Sequence, residues 1–144
     1  VHIGLGDGSI RAAGKLLGSD KIIGATAHNL DEALAAQAAG ADYIGVGAAF
    51  GSKSKGNAVR LTNLKTYRDI TSAVDIPVIA IGGINAGNVG ELAGLGLSGI
   101  AVISAIFGSR DIAASAHELR TAAQALTSSP CAEDNSEEGT ETDG

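Results

Sequence analysis

The sequence contains five short runs rich in valine and isoleucine, each of which ends at glycine or at a small polar residue. Their apolar residues are consecutive and do not alternate with polar ones, a pattern typical of strands covered on both faces in parallel sheets. Stretches of helix-like composition separate them, and repeated strand–helix units predict right-handed crossovers in a parallel α/β fold. The runs are Val1–Gly4, Lys21–Thr26, Asp42–Gly47, Pro77–Gly83 and Gly99–Ser104.

Four stretches between and after these runs are predicted to be helical. Asn29 and Asp111 stand where N-caps are expected, and Gly40 stands where the first of these helices should end. The third stretch is rich in glycine, which weakens its helical character. In chain order the predicted helices are Asn29–Ala41, Leu61–Val74, Asn85–Gly96 and Asp111–Leu126.

The net charge of −6 is concentrated at the C-terminal end of the chain. Residues 130–144 hold six of the sixteen acidic residues and no basic one, so ten acids and ten bases remain before them. This balance excludes a basic stripe for nucleic acid. We interpret 1–126 as a folded domain and 127–144 as an acidic disordered tail. The single cysteine, Cys131, lies in that tail, which excludes an intrachain disulfide. The absence of a signal peptide or membrane-length apolar run predicts a cytoplasmic protein.

Two closures of the predicted sheet are compatible with the pattern, an open doubly wound sheet and a (β/α)₈ TIM barrel. Gly82-Gly83 ends one strand and Ile103-Ser104 ends the next, each just before a predicted helix. In barrels, phosphate sites are commonly formed by the loops after the last two strands together with a helix N-terminus. This favours the C-terminal part of a barrel. Because a full barrel has eight strands in about 250 residues and the chain shows five, we expect it to be truncated at its N-terminal side.

Five motifs, in this order and spacing, closely resemble thiamine phosphate synthase from Val1 to about Leu126. They are VHIGxxD, GATAHNLDEA, ADYIGVGAAFGSKSK, IPVIAIGGIN and GIAVISAIFG. The resemblance implies a TIM barrel, of which this chain would supply strands four to eight. It further implies a reaction that joins hydroxymethylpyrimidine pyrophosphate to hydroxyethylthiazole phosphate, releasing pyrophosphate. It also implies Mg²⁺ bridging the pyrophosphate, and a pyrimidine methylene that leaves as a stabilised cation before the thiazole nitrogen attacks.

The loop after the third run carries the most distinctive of these residues. The resemblance implies that Ser52 and Ser54 stand where the family has threonines that hydrogen-bond the pyrophosphate. Lys55 is then the catalytic lysine that neutralises charge on the leaving group. Departure of pyrophosphate needs donors and cations already directed at its oxygens. By composition alone, the same loop would be read as an ordinary flexible surface loop.

The other site residues are also assigned through the resemblance. Asp7 matches a magnesium-binding aspartate, and Thr26 matches a hydroxyl residue near the reacting centre. The backbones of Gly83, Ile103 and Ser104 match the positions that hold the thiazole phosphate. Plainer alternatives are a turn or cap aspartate, a helix-capping threonine and a tight-turn glycine.

Several positions depart from the family pattern. Leu5 replaces a usual glutamine, while Ala48 and Gly51 replace prolines around the loop. The family's pyrimidine-binding glutamine–arginine–lysine segment and its first metal aspartate would precede Val1. A partial barrel exposes strand edges and apolar faces, so we expect it to need its missing segment, a partner or assembly into a homo-oligomer.

Two further interpretations stay open. One is a related thiazole tautomerase, in which His28 would act as an acid–base group, although we otherwise expect a structural role for that histidine. The other is a non-catalytic fragment of the synthase. His2 and His117 are expected to be a strand-edge and a surface-helix histidine. The expected partners are two small-molecule substrates, with no nucleic acid and no membrane.

Overall fold

A computed structural model describes residues 1–51 and 63–128 of the chain. The strands are β1 (His2–Ile3), β2 (Gly24–Ala27), β3 (Tyr43–Gly47), β4 (Val78–Ile81) and β5 (Gly99–Ala101). The helices are α1 (Ile10–Leu17), α2 (Leu30–Ala38), α3 (Leu64–Ala73), α4 (Ser104–Phe107) and α5 (Ile112–Ser128), with a 3₁₀ turn at Val89–Leu92. The predicted α/β fold and its five strands are confirmed.

The five strands form one parallel sheet in the order β1-β2-β3-β4-β5. His2 is in register with Gly24, and Gly24 with Tyr43. Strand order follows chain order without reversal, so each successive strand is added at the same edge of the growing sheet. Because all the strands are parallel, their carboxyl ends lie along one edge of the sheet.

The two faces of the sheet have different environments. Residues that point to one face are buried against α2, α3 and α5, and they include Ala27, Ile44, Val46 and Val78. Side chains alternate along a strand, so the opposite face presents His2, Thr26, Tyr43, Ile79 and Ile81. These five are exposed or half-buried. Within residues 1–51 and 63–128, helices cover only one face of the sheet. The consecutive apolar residues of the strands had predicted that both faces would be covered.

Tyr67 connects α3 to the sheet. The side chain is buried, and its hydroxyl donates a 2.8 Å hydrogen bond to the carbonyl oxygen of Val46. A buried phenol requires such a partner because desolvating an unpaired hydroxyl is costly. This contact fixes α3 over the centre of β3.

The capping predictions are confirmed. The Asn29 side chain accepts a hydrogen bond of 2.9 Å from the backbone N–H of Glu32, and that of Asp111 accepts one of 2.9 Å from the N–H of Ala114. Asn63 caps α3 in the same way through the N–H of Thr66, so the helix begins at Leu64. Leu61 and Thr62, the first two residues of the predicted helix, lie outside the described residues.

One helix prediction was wrong, and two helices were missed. The stretch Asn85–Gly96 forms only the 3₁₀ turn Val89–Leu92, since Gly94 and Gly96 adopt positive φ values of 69° and 72° that end helical geometry. Helices α1 and α4 were not predicted from the sequence. No helix in the described part of the chain is both long and apolar enough to cross a membrane.

Candidate functional site

The described residues that were predicted to bind substrate or metal all lie at the carboxyl edge of the sheet. Asp7 follows β1, Thr26 is in the last half of β2, Gly83 follows β4, and Ile103 and Ser104 follow β5. Parallel α/β proteins bind ligands at this edge. Asp7 and Ser104 are nonetheless at opposite ends of the row, four strands apart. The remaining three predicted residues, Ser52, Ser54 and Lys55, lie outside the described residues.

Asp7 closes the turn that follows β1. Its Oδ2 accepts a 2.8 Å hydrogen bond from the N–H of Gly4, and its own N–H donates to the carbonyl of Gly4 at 3.1 Å. It does not cap α1, because Ser9 does. The carboxylate is exposed to solvent. Asp7 is therefore a turn aspartate, and its metal-binding role stays a prediction.

A small pocket lies beside this turn. Its volume is about 120 Å³, and it opens between the ends of β1 and β2. Leu5, at the position where the resemblance led us to expect glutamine, contributes to its wall and is 64% exposed. The lining residues are Ile3, Gly4, Leu5, Gly8, Ile10, Ala25 and Thr26. Thr26 therefore contributes to the wall of a pocket at the carboxyl edge.

Thr26 bonds to a histidine that the sequence analysis had assigned only to a strand edge. The Oγ1 atom of Thr26 lies 2.8 Å from Nε2 of His2, and Nδ1 of His2 lies 3.0 Å from the hydroxyl of Tyr43. The capping alternative for Thr26 is wrong, since Asn29 caps α2. The alternation of strand residues was the available signal: His2, Thr26 and Tyr43 share one face.

His28 is held by the first turn of α2. Oε2 of Glu32 lies 2.8 Å from the backbone nitrogen of His28, which donates to it, and 3.2 Å from the ring nitrogen Nδ1. Oε1 of Glu32 accepts from the side chain of Asn29 at 2.8 Å. Desolvation raises the pKa of Glu32, but the hydrogen bonds from His28 and Asn29 outweigh it, so the pKa lies below its ordinary value. This arrangement supports the structural role expected of His28.

The ends of β3 and β4 are joined by backbone contacts. The N–H of Ala49 donates to the carbonyl of Ile81 at 2.9 Å, and that of Phe50 to the carbonyl of Gly82 at 3.0 Å. Gly83 has a φ of +68°, and a β-carbon there would overlap the carbonyl oxygen of Gly51. Glycine is thus required at 83 by both conformation and space.

The segment after β5 begins a short helix. Ile103 precedes α4 and is 66% exposed, and its carbonyl accepts from the N–H groups of Ile106 and Phe107 at 3.1 and 2.9 Å. Ser104 is the first residue of the helix and is exposed. The backbone at Ile103-Ser104 is therefore accessible at the carboxyl edge, as the phosphate prediction requires.

Comparison with known proteins identifies related sequences and structures. Residues 1–106 match the family model of thiamine monophosphate synthase. The thiamine-phosphate synthases of Clostridium tetani and Moorella thermoacetica are 45% and 46% identical over 119 and 120 residues, which is 83% of this chain in each case. A solved structure, the thiamine phosphate pyrophosphorylase from Pyrococcus furiosus, superposes with a TM-score of 0.77 at 40% identity over 88% of this chain.

The chain spans little more than half of the proteins that it matches. The aligned region covers 56% of the Clostridium tetani protein, 57% of the Moorella thermoacetica protein and 59% of the Pyrococcus furiosus chain.

Proposed function

The chain belongs to the thiamine monophosphate synthase family, and from that premise we propose that it carries the phosphate-binding part of a transferase site. The reaction condenses hydroxymethylpyrimidine pyrophosphate with hydroxyethylthiazole phosphate to give thiamine phosphate and pyrophosphate. The observation that carries this proposal is the placement of Thr26, Gly83 and Ile103-Ser104 at one edge of a parallel sheet.

The thiazole phosphate is assigned to the ends of β4 and β5. Gly83 has no side chain, and Ile103-Ser104 begins a helix whose first N–H groups have no intrahelical acceptor. Backbone N–H groups can approach a phosphate only where side chains are absent or turned away. The exposure of Gly83, Ile103 and Ser104 supports this assignment.

The pyrophosphate is assigned to the neighbouring loop. Gly51, the last described residue before Ser52, lies against Gly83, so the chain leaves the described region beside the proposed thiazole phosphate site. In this proposal Ser52 and Ser54 donate hydrogen bonds to the leaving group, and Lys55 neutralises the charge that it accumulates. Thr26 donates from the adjacent strand.

Asp7 is the proposed protein ligand of Mg²⁺. Residues 1–51 and 63–128 hold no group of three or more histidine, cysteine or acidic residues that could bind a metal. Mg²⁺ in phosphoryl sites commonly needs only one or two carboxylates, with phosphate oxygens and water completing its shell. An exposed carboxylate at the carboxyl edge fits that requirement. When bound, the ion would offset the charge of the pyrophosphate.

The strand order favours a (β/α)₈ TIM barrel as the complete architecture. A doubly wound sheet reverses its strand order at a switch point, whereas the strands of a barrel follow chain order, as β1 to β5 do here. We propose that these strands correspond to strands four to eight. The open face around His2 and Ile81, and the outer edges of β1 and β5, would then be covered by further barrel strands or by a second copy of the chain.

A cytoplasmic location also stays a prediction.

A thiazole tautomerase is the second candidate. A carboxylate that orients one nitrogen of a histidine is a common arrangement for a general base, and Glu32 contacts Nδ1 of His28 in this way. That reaction involves no pyrophosphate, so the loop of Ser52, Ser54 and Lys55 favours the synthase.

A turnover assay tests the proposal. The chain is incubated with both synthase substrates and Mg²⁺ over a range of protein concentrations, and thiamine phosphate is quantified. We expect product, with a dependence on protein concentration steeper than linear if copies complete one another. Folded protein that forms no product at any concentration would contradict a self-sufficient synthase and leave a fragment that binds phosphate. Isomerisation of a thiazole carboxylate phosphate, without condensation, would instead establish the tautomerase.

A further inference from the structure

Three polar side chains from three adjacent strands form a continuous hydrogen-bonded chain on the open face of the sheet. Tyr43 on β3 bonds Nδ1 of His2 on β1 at 3.0 Å, and Nε2 of His2 bonds Oγ1 of Thr26 on β2 at 2.8 Å. The imidazole and phenol rings are 5.6 Å apart between centroids. The imidazole therefore spans β2 and connects the two hydroxyls.

Two glycines make room for this chain. A β-carbon at Gly24, which lies between His2 and Tyr43 in register, would overlap the Tyr43 ring. A β-carbon at Gly45, beside Thr26 in register, would lie 3.1 Å from Cε1 of His2. The rings thus occupy the space that side chains at 24 and 45 would fill, and their positions are fixed by the backbone on which they lie.

The direction of the hydrogen bonds follows from the chemistry of the groups. A neutral imidazole has one N–H donor and one acceptor nitrogen. A phenol is a stronger acid, and so a stronger hydrogen-bond donor, than an aliphatic alcohol such as the side chain of threonine. The favoured arrangement therefore has the Tyr43 O–H donating to Nδ1 of His2, and the Nε2–H of His2 donating to Oγ1 of Thr26.

This direction determines what Thr26 can do. With one lone pair of Oγ1 occupied by His2, the hydroxyl hydrogen of Thr26 is free to point toward a ligand at the carboxyl edge. We propose that His2 is a positioning residue, held by Tyr43, that orients Thr26 as a hydrogen-bond donor to the anionic oxygens of the substrate. The inference deepens the proposed function and rests on it for the identity of the anion.

The tautomer of His2 provides a test that needs no activity. Long-range ¹H–¹⁵N spectra of the full chain, labelled at histidine and recorded at about pH 8.5, above the range in which histidines ordinarily titrate, report which nitrogen carries the proton. We expect the Nε2–H form of His2, and a larger Nδ1–H fraction in Tyr43→Phe. Tyr67→Phe is the matched control, since Tyr67 lies on the other face, and it should leave His2 unchanged. An Nδ1–H tautomer in the unmodified chain, or no response to Tyr43→Phe, would overturn the inference.

Binding of inorganic pyrophosphate, measured by calorimetry, tests the consequence for Thr26. We expect His2→Ala to weaken binding about tenfold, the effect of losing one charge-assisted hydrogen bond, and Tyr43→Phe to weaken it about threefold. His2→Gln, which keeps an N–H donor, should recover part of the loss, and His117→Gln should have no effect. In a Thr26→Val background, Tyr43→Phe should have no further effect.

The two tests separate two kinds of failure. If the unmodified chain shows the Nε2–H tautomer but binds no pyrophosphate, the hydrogen-bonded chain stands and its role toward this anion is overturned together with that part of the proposed function. If pyrophosphate binds and Tyr43→Phe weakens it equally with and without Thr26, the proposed function stands and the positioning role of His2 is overturned.

Discussion

The backbone of Gly83 lies directly against the carbonyl oxygen of Gly51, so closely that a β-carbon at residue 83 would overlap it. This contact joins the glycine after β4 to the residue that precedes the serine–lysine loop. Gly51 and Gly83, which are about thirty residues apart in the chain, therefore lie beside one another at the carboxyl edge of the sheet.

Gly83→Ala should destabilise the protein through two separable effects. The φ of +68° costs a β-carbon roughly 1–2 kcal/mol, and the overlap with Gly51 adds to this, so we expect a total loss of about 2–4 kcal/mol. Gly94→Ala, with a φ of +69° but no atom near its β-carbon, should show only the first effect. Gly90→Ala has neither and should lose nothing. Urea unfolding measures all three, and equal losses in Gly83→Ala and Gly94→Ala would contradict the contact.

Tyr67→Phe should lower the free energy of unfolding by about 1–3 kcal/mol, because the buried carbonyl of Val46 loses the phenolic donor. Tyr43→Phe offers a matched comparison on the open face, where solvent replaces the lost partner, and should cost less. Chemical denaturation of both variants provides the measurement. A larger loss for Tyr43→Phe would show that the open face, and not the α3 side, limits stability.

The hydrogen bonds of Glu32 should make stability depend on pH in the acid range. Its pKa in the folded protein lies below the ordinary 4.5, so the ionised form stabilises the fold. That contribution is fully present above about pH 4.5 and is lost as the pH falls through the lower folded pKa. Glu32→Gln should therefore be less stable than the unmodified chain at pH 7, with the difference shrinking below pH 4.5. Asp31→Asn, at the neighbouring exposed carboxylate, serves as control, and a difference independent of pH would refute the assignment.

Lys55→Ala should slow formation of thiamine phosphate by about 10²–10³-fold, the usual effect of removing one group that stabilises developing charge. Its unfolding free energy should be unchanged. Lys53→Ala removes an equal charge two residues earlier and should reduce turnover by less than tenfold. Steady-state kinetics of the two variants decides between a specific role for Lys55 and a general requirement for positive charge in this loop.

Asp7→Asn should raise the Mg²⁺ concentration needed for half-maximal turnover. The amide oxygen can still accept from the N–H of Gly4, so the turn after β1 is retained while the charge is lost. Asp20→Asn, which breaks only an exposed ion pair with Lys21, is the control and should leave the Mg²⁺ dependence unchanged. Identical dependence in all three proteins would remove Asp7 from the metal site.

Much of the fold could be predicted because its signals are local. Runs of valine and isoleucine marked all five strands, and the caps Asn29 and Asp111 marked two helix starts. The prediction for Asn85–Gly96 failed because glycines with positive φ interrupt a composition that is otherwise helical. Helix α1 was missed although five of its eight residues are apolar and Ile10, Ala13 and Leu17 recur at helical spacing. It is short, and Gly14 at its centre lowers the helix propensity of the segment.

Candidate site residues were proposed where a motif coincides with the end of a strand, whereas side-chain contacts between different strands were not predicted. Thr26 was proposed from its motif, whereas His2 and Tyr43 were not, since no local pattern shows that two residues 41 positions apart share a hydrogen bond. The contact between Gly83 and Gly51 is likewise a property of neighbouring strand ends. Such relationships require the register of the sheet.

The central claim is that the carboxyl edge of this sheet binds the phosphate of a thiazole substrate. The most direct measurement is an NMR titration of the ¹⁵N-labelled chain with hydroxyethylthiazole phosphate, with the dephosphorylated thiazole as the matched ligand. We expect saturable shifts at the amides of Gly83, Ile103 and Ser104 with the phosphorylated thiazole, and none of comparable size with the dephosphorylated one. Shifts confined to other regions, or equal responses to both ligands, would contradict the claim.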